Sequence, residues 1–134
     1  AAELAARLLH DEGSRQSRLR EALWDRLAHS ISGLVRVSPA EGCLSNTLMV
    51  AVPDRIGAEV LAAVSGVSAS TGSACHAGIH SPSSALLAMG IDHDTALGAL
   101  RLSIGRSTSE QDIDHAAAAI AAVVSGSARA STPR

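Results

Sequence analysis

The chain has no lysine: all 11 of its basic residues are arginine. It therefore has no side-chain amine for a Schiff base and no lysine for a phosphate-binding loop. Aromatic residues are almost as scarce, with Trp24 alone and neither Phe nor Tyr. That argues against the stacking platforms used on single-stranded nucleic acid. A formal net charge of −2 gives no electrostatic footprint for nucleic acid or an acidic membrane surface. Long apolar runs are missing too. The best, Ala116–Val124 and Ala58–Val67 (the second broken by Glu59 and Ser65), fall far short of the ~20 residues of a membrane span. The N-terminus shows no basic-then-apolar export pattern. Two cysteines, Cys43 and Cys75, are too few for a disulfide framework. The reading is a cytoplasmic protein, where a thiol is either inert core or chemistry.

What is present suits one domain. The 134 residues, 46% of them hydrophobic, are enough to bury a core without covalent staples. Leu4 and Leu8 share a helical face, and Leu19, Leu23, Leu27 and Ile31 recur every four residues. Gly13-Ser14 leaves open one long helix or two shorter ones. The helical pattern begins at Ala1 without a cap, as if the chain started inside a larger protein. Leu34–Val37 and Leu48–Val52 read as strands, the second with alternating character and a stop at Pro53. Asp54 is expected to cap a helix burying Ile56, Val60 and Val64, with Gly66 as its stop. Val67–Thr71 alternates as a further short strand. Ser81-Pro82 reads as a helix start closed by Gly90, and Asp92 as the cap of another turn. Leu100, Leu102 and Ile104 form an apolar row that puts Arg101 on the opposite face. Thr108 with Gln111 gives a capping-box pattern before a last helix burying Ile113, Ala117, Ile120 and Val124. Strands separated by helices and long loops point to an α+β fold, a small sheet with helices on one face.

Cys75 is the residue with a chemical setting. It lies in Thr71–His80, a small, polar, glycine-punctuated stretch read as a mobile loop, with His76 adjacent and His80 nearby. Exposure and neighbouring donors lower a thiol's pKa and suit a nucleophile, whereas a plain free cysteine is usually core. A Cys75/His76/His80 metal site is a weaker alternative, since no paired C-x-x-C or H-x-x-x-H spacing accompanies it. Cys43 reads as incidental. Arg101 either grips a carboxylate or sits on a solvated sheet face. The Arg15/Arg18/Arg20 run reads as a solvated helix face.

Four pieces occur in order: Asn46-Thr47-Leu48, Ser70–Cys75, Pro82-Ser83 with Leu86–Gly90, and Leu100–Arg106 leading into Thr108–Asp114. Together they resemble the C-terminal small domain of cysteine desulfurases, in the class V branch of the fold-type I, pyridoxal-phosphate-dependent aminotransferases. They cover about half the chain. The resemblance implies a catalytic Cys75, whose thiolate takes sulfur from L-cysteine, leaving L-alanine and a persulfide. It implies that Arg101 holds the substrate carboxylate and that Asn46 helps shape the site. Further implications are a sulfur-acceptor or iron–sulfur scaffold protein as partner and a homodimeric full-length enzyme. Pyridoxal phosphate would bind to a larger N-terminal domain absent here, and this chain alone is expected to be inactive. The proline usual before the N-T-L-N motif is Ser45 here and its second asparagine is Met49, so no role passes to Met49. The division expected is a helical lead-in over 1–33, the small domain over 34–125 with its cysteine loop at 71–81, and a flexible tail over 126–134. A non-catalytic sulfur carrier, or a selenocysteine lyase-like relative, are the alternatives.

Overall fold

A computed structural model describes residues 2–72 and 81–128 of the chain. The order is helix α1 (Ala2–Ser30), strand β1 (Val35–Arg36), strand β2 (Thr47–Ala51) and helix α2 (Gly57–Ala63). Helices α3 (Ser84–Ala88) and α4 (His93–Leu97), strand β3 (Ala99–Ser103) and helix α5 (Glu110–Ala128) follow. The strands form one antiparallel sheet in the order β1-β2-β3. The expected α+β class, small antiparallel sheet and long N-terminal helix are all present.

One face of the sheet carries the core. Leu48 and Val50 of β2 lie opposite Leu102 and Leu100 of β3, and all four are buried. Leu19, Leu23, Leu27 and Ile31 meet them from α1 and its end, with Val60 of α2 and Ile113, Ala117 and Ile120 of α5. The four-residue repeat therefore marks a true buried stripe, and α1 runs unbroken through Gly13-Ser14. Helix α2 can lie flat on β3 because residue 57 is glycine: a Cβ there would strike the Ala99 carbonyl oxygen. The other face is thinner. Leu86, Ala96 and Ala99 make a small cluster there with Val37, Met49 and Ile91.

Local signals misplace several boundaries. Val67–Thr71 is no fourth strand; Ser70 makes an isolated bridge to Arg101, and the alternation of small residues gives too little side chain to hold a longer ladder. Asp54 does not cap α2. It sits at φ 55°, in a turn after Pro53, and the N-cap is Ile56. Ser81-Pro82 precedes α3 rather than starting it; the N-cap is Ser83, in extended conformation with no side-chain cap bond. The capping box lies one residue later than Thr108/Gln111. Ser109 Oγ accepts from Asp112 N at 3.2 Å, and Asp112 Oδ2 accepts from Ser109 N at 2.8 Å. Thr108 instead accepts from Gly105 N, tightening the preceding turn. Helix α5 continues to Ala128, beyond the expected start of its tail. Asp92 does cap α4, accepting from Thr95 N at 2.9 Å, and Gly90, at φ 83°, follows the end of α3.

Candidate functional site

The polar residues of interest lie on the thin face. Register puts Met49 opposite Arg101 and Thr47 opposite Ser103. The main chain of Met49 bonds toward the β1 side, accepting from Val37 N and Ser38 N and donating to Ser38 Oγ. Met49 and Arg101 are therefore a non-hydrogen-bonded pair, the type whose side chains stand closest across an antiparallel ladder. Arg101 is exposed, and its guanidinium makes no hydrogen bond or ion pair among the described residues. An arginine at a mid-strand position with no internal partner has its five donors directed outward, available to a planar anion.

On the outer edge of β3, Ser70 is tied to Arg101 by two main-chain bonds, Ser70 N to Arg101 O at 3.2 Å and Arg101 N to Ser70 O. Ser70 Oγ accepts from Gly72 N at 3.0 Å, turning the chain inward. Gly72, at φ +81°, then rests over β2, where a Cβ would come 2.7 Å from Met49 Cε. The positive φ favours glycine, whereas the close approach is to the tip of a flexible side chain that can swing aside. Beside Arg101 lies a shallow cavity of about 260 Å³, lined by Ser68, Ala69, Ser70, Arg101 and Ser103.

Asn46 stands at the end of the ladder, where its carbonyl oxygen accepts from Ile104 N at 2.8 Å and its Oδ1 from Thr47 Oγ1 at 3.2 Å. It precedes Met49 by three residues, about 10 Å along a strand from the level of Arg101. The fold thus joins Arg101 to the Ser70–Gly72 turn and leaves Asn46 on the rim. Cys75, His76 and His80 lie outside the described residues. Among the described residues no group of three or more His, Cys, Asp or Glu could hold a metal ion.

Two arginines of α1, Arg15 and Arg20, depart from the expected solvated face, while Arg18 is exposed as expected. Arg20 is only 5% exposed. It donates to Ala40 O (3.0 Å), Leu44 O (2.8 Å) and Cys43 Sγ (2.9 Å), fixing the loop that leads into Asn46. Cys43, read as incidental, is part of this clasp and donates to Pro39 O at 3.1 Å. Glu21 bridges Arg20 to Arg36, accepting two 2.7 Å bonds from Arg36. Those bonds, ahead of the burial that opposes them, pull the Glu21 carboxyl from 4.5 down to about 2. The same pairing raises Arg36, whose guanidinium lies 5.4 Å from the Trp24 ring centroid. Arg15 bonds Thr108 O, Gly105 O and Arg106 O, holding the turn after β3. A signal for Arg20 exists in the sequence: it is three and seven residues before Leu23 and Leu27, hence on their face.

No helix among the described residues is long and apolar enough to cross a membrane. No family model matches the chain. Relatives do. A cysteine desulfurase IscS of Shewanella loihica is 34% identical over 116 residues, covering 87% of this chain. An IscS-like cysteine desulfurase of Mycobacterium tuberculosis is 46% identical over 65 residues, covering 48% of this chain and 16% of its own length. The chain spans only 28% of the Shewanella protein. Among solved structures, a NifS-like protein superposes with TM-score 0.78 at 27% identity, over 92% of this chain and 31% of that one. A NifS-like protein from Rickettsia africae shares the fold at TM-score 0.76 and 19% identity, over 91% of this chain and 31% of its own.

Proposed function

We propose a function from one premise: the chain is the homologous counterpart of the C-terminal small domain of the cysteine desulfurases. In the complete protein, Cys75 takes the sulfur of L-cysteine as a persulfide and L-alanine leaves. The S–S bond forms as the C–S bond breaks, and the carbon left behind gains a proton, so no outside oxidant or reductant enters. Arg101 holds the substrate carboxylate through paired N–H donors, and Asn46 shapes the rim of the site. The persulfide then passes to a sulfur-acceptor or iron–sulfur scaffold protein. The full-length enzyme is a cytoplasmic homodimer in this reading. The observation that carries it is Arg101: an exposed guanidinium with no partner among the described residues, tied through its main chain to the segment that leads into Cys75.

Pyridoxal phosphate, the cofactor this family implies, finds no covalent anchor in a chain without lysine. Its attachment belongs to residues outside this chain. The same absence favours a second reading, in which the chain is a sulfur carrier without catalysis of its own.

The test is a pair of measurements on the full-length protein supplied with L-cysteine: alanine released, and persulfide located by mass spectrometry. We expect both in the native protein and neither in Cys75→Ser. Undiminished alanine and persulfide in Cys75→Ser overturn the assignment of Cys75. Persulfide on Cys75 from a separate donor, with no alanine under any condition, selects the carrier reading.

A further inference from the structure

Ser70 and Arg101 exchange both main-chain bonds, so the next rung of that ladder would join Ser68 to Ser103. It is not made: no main-chain bond links those two residues. The Gly66–Ser68 segment parts from β3, and the gap is a slot of about 200 Å³. One wall is Leu102 and Ile104 of β3 with Ile113 and Ala116 of α5, and the other is Val67 and Ser68. Leu23 of α1, buried in the core, closes the floor. At the mouth are two exposed polar side chains of α5, Asp112 and His115. Asp112 takes both Ser109 bonds on Oδ2, leaving Oδ1 available. His115 Nε2 rests beside Gly66, 3.0 Å from where a Cβ would stand.

The slot opens on the core side of β3 and is not lined by Arg101. Its volume lies below the ~300–1,000 Å³ of drug-sized sites and suits a single ring. Two aliphatic walls favour a flat ring between them, and the acceptor at the mouth favours a hydroxyl at the ring's end. A full cation is a poorer match, because Asp112 stands in the first turn of α5, where the main-chain N–H groups carry positive charge. A carboxylate would be repelled by Asp112, whose ionised form the Ser109 bonds favour. The chain cannot supply the ring itself: it has no Phe or Tyr, and Trp24 packs against Arg36. We propose that this slot binds a phenol group from outside the chain, its ring between Val67 and Ile113 and its hydroxyl donating to Asp112 Oδ1.

The probe is p-cresol, the side chain of tyrosine as a free molecule. It is titrated into the 134-residue chain labelled in its histidine rings, and the His115 signal is followed by NMR. His29 and His93, which do not line the slot, are internal controls. We expect a saturable shift at His115 and none at the controls, half-complete at about 1–10 mM, ordinary for one ring in an open slot. Toluene lacks the hydroxyl and 4-methylcyclohexanol lacks the flat ring; each should bind about threefold to tenfold more weakly. Ala116→Leu, which fills the slot from α5, should abolish the shift with far-UV circular dichroism unchanged. Asp112→Asn keeps an oxygen for Ser109 and turns an amide N–H₂ to the slot, so it should bring p-cresol and toluene to about equal affinity. No saturable shift at His115, or one that survives Ala116→Leu, overturns the site. Equal binding of either comparator to the native chain, or a preference for p-cresol unchanged in Asp112→Asn, overturns the phenol class. N-Acetyl-tyrosinamide separates the sources: binding like p-cresol identifies a tyrosine side chain of a polypeptide, and p-cresol binding without it identifies a free phenol.

Discussion

Arg20 shows how much one side chain decides. Its guanidinium satisfies two carbonyls and a thiol of a loop that otherwise has no regular structure to hold it. Replacing it with alanine leaves those loop acceptors without their buried donor, while the Glu21 carboxylate keeps its two bonds from Arg36. We expect Arg20→Ala to cost about 2–4 kcal/mol in urea unfolding and to speed alkylation of Cys43. Arg20→Lys should recover only part, because one ammonium cannot reproduce the fork. Glu21 gives a prediction in pH. Its folded value near 2 lies below the ordinary 4.5, so its stabilisation is complete above pH 4.5 and is lost as pH falls toward 2. The side chain is 40% exposed, and screening reduces the contribution to about 1 kcal/mol. Glu21→Gln should flatten the acid limb of the stability curve between those pH values, read by denaturation at stepped pH. An unchanged limb would mean that another carboxylate governs it. Apolar residues were legible at this scale because periodicity reports burial directly: Leu19, Leu23 and Leu27 are all in the core. The face of Arg20 was legible in the same way, but its partners were not, because the acceptors come from a loop 20–24 residues further along the chain.

Elements were legible where their signal was long. Both long helices and the β2–β3 ladder follow from apolar spacing, and Ile120, fully buried on α5, anchors the helix against the sheet. Ile120→Ala should cost about 2–5 kcal/mol by urea denaturation, since the space left behind is walled by helices and strands that cannot collapse into it. A loss under 1 kcal/mol would show that α5 is held chiefly elsewhere. Helix starts were less legible. Ser109/Asp112 and Thr108/Gln111 are overlapping patterns, and the choice between them depends on Arg15 pulling the Gly105–Thr108 turn against α1. The Val67–Thr71 alternation failed for the converse reason: period alone does not hold a strand without side chains to pack. The site had mixed legibility. The face of Arg101 followed from strand alternation, while Met49 as its neighbour needed the register of two strands, in which these paired residues are 52 apart in sequence.

For the whole molecule, the main fact is proportion: a chain spanning 28% of a relative's length still has a continuous core. Helix α1 shares that core with the sheet and α5, so we expect the 134-residue chain to unfold in one step. Trp24, the sole aromatic residue, supplies the probe. Its fluorescence and the far-UV circular dichroism should change at the same urea concentration. Two separate midpoints would make residues 1–33 a unit of their own. Sequence carried the one-domain size and the fold class at this scale because both depend on composition and element order. It could not carry the tie between Ser70 and Arg101, which is made by main-chain atoms common to every residue but proline. That tie has a consequence for genetics. Side-chain replacement at either position leaves the staple closed, so an alanine scan reads the guanidinium of Arg101 alone. Weakening the staple takes a change of backbone chemistry, such as proline or an ester bond at position 70, which removes the bond from Ser70 N to Arg101 O. Two roles sharing one residue number can thus be altered independently.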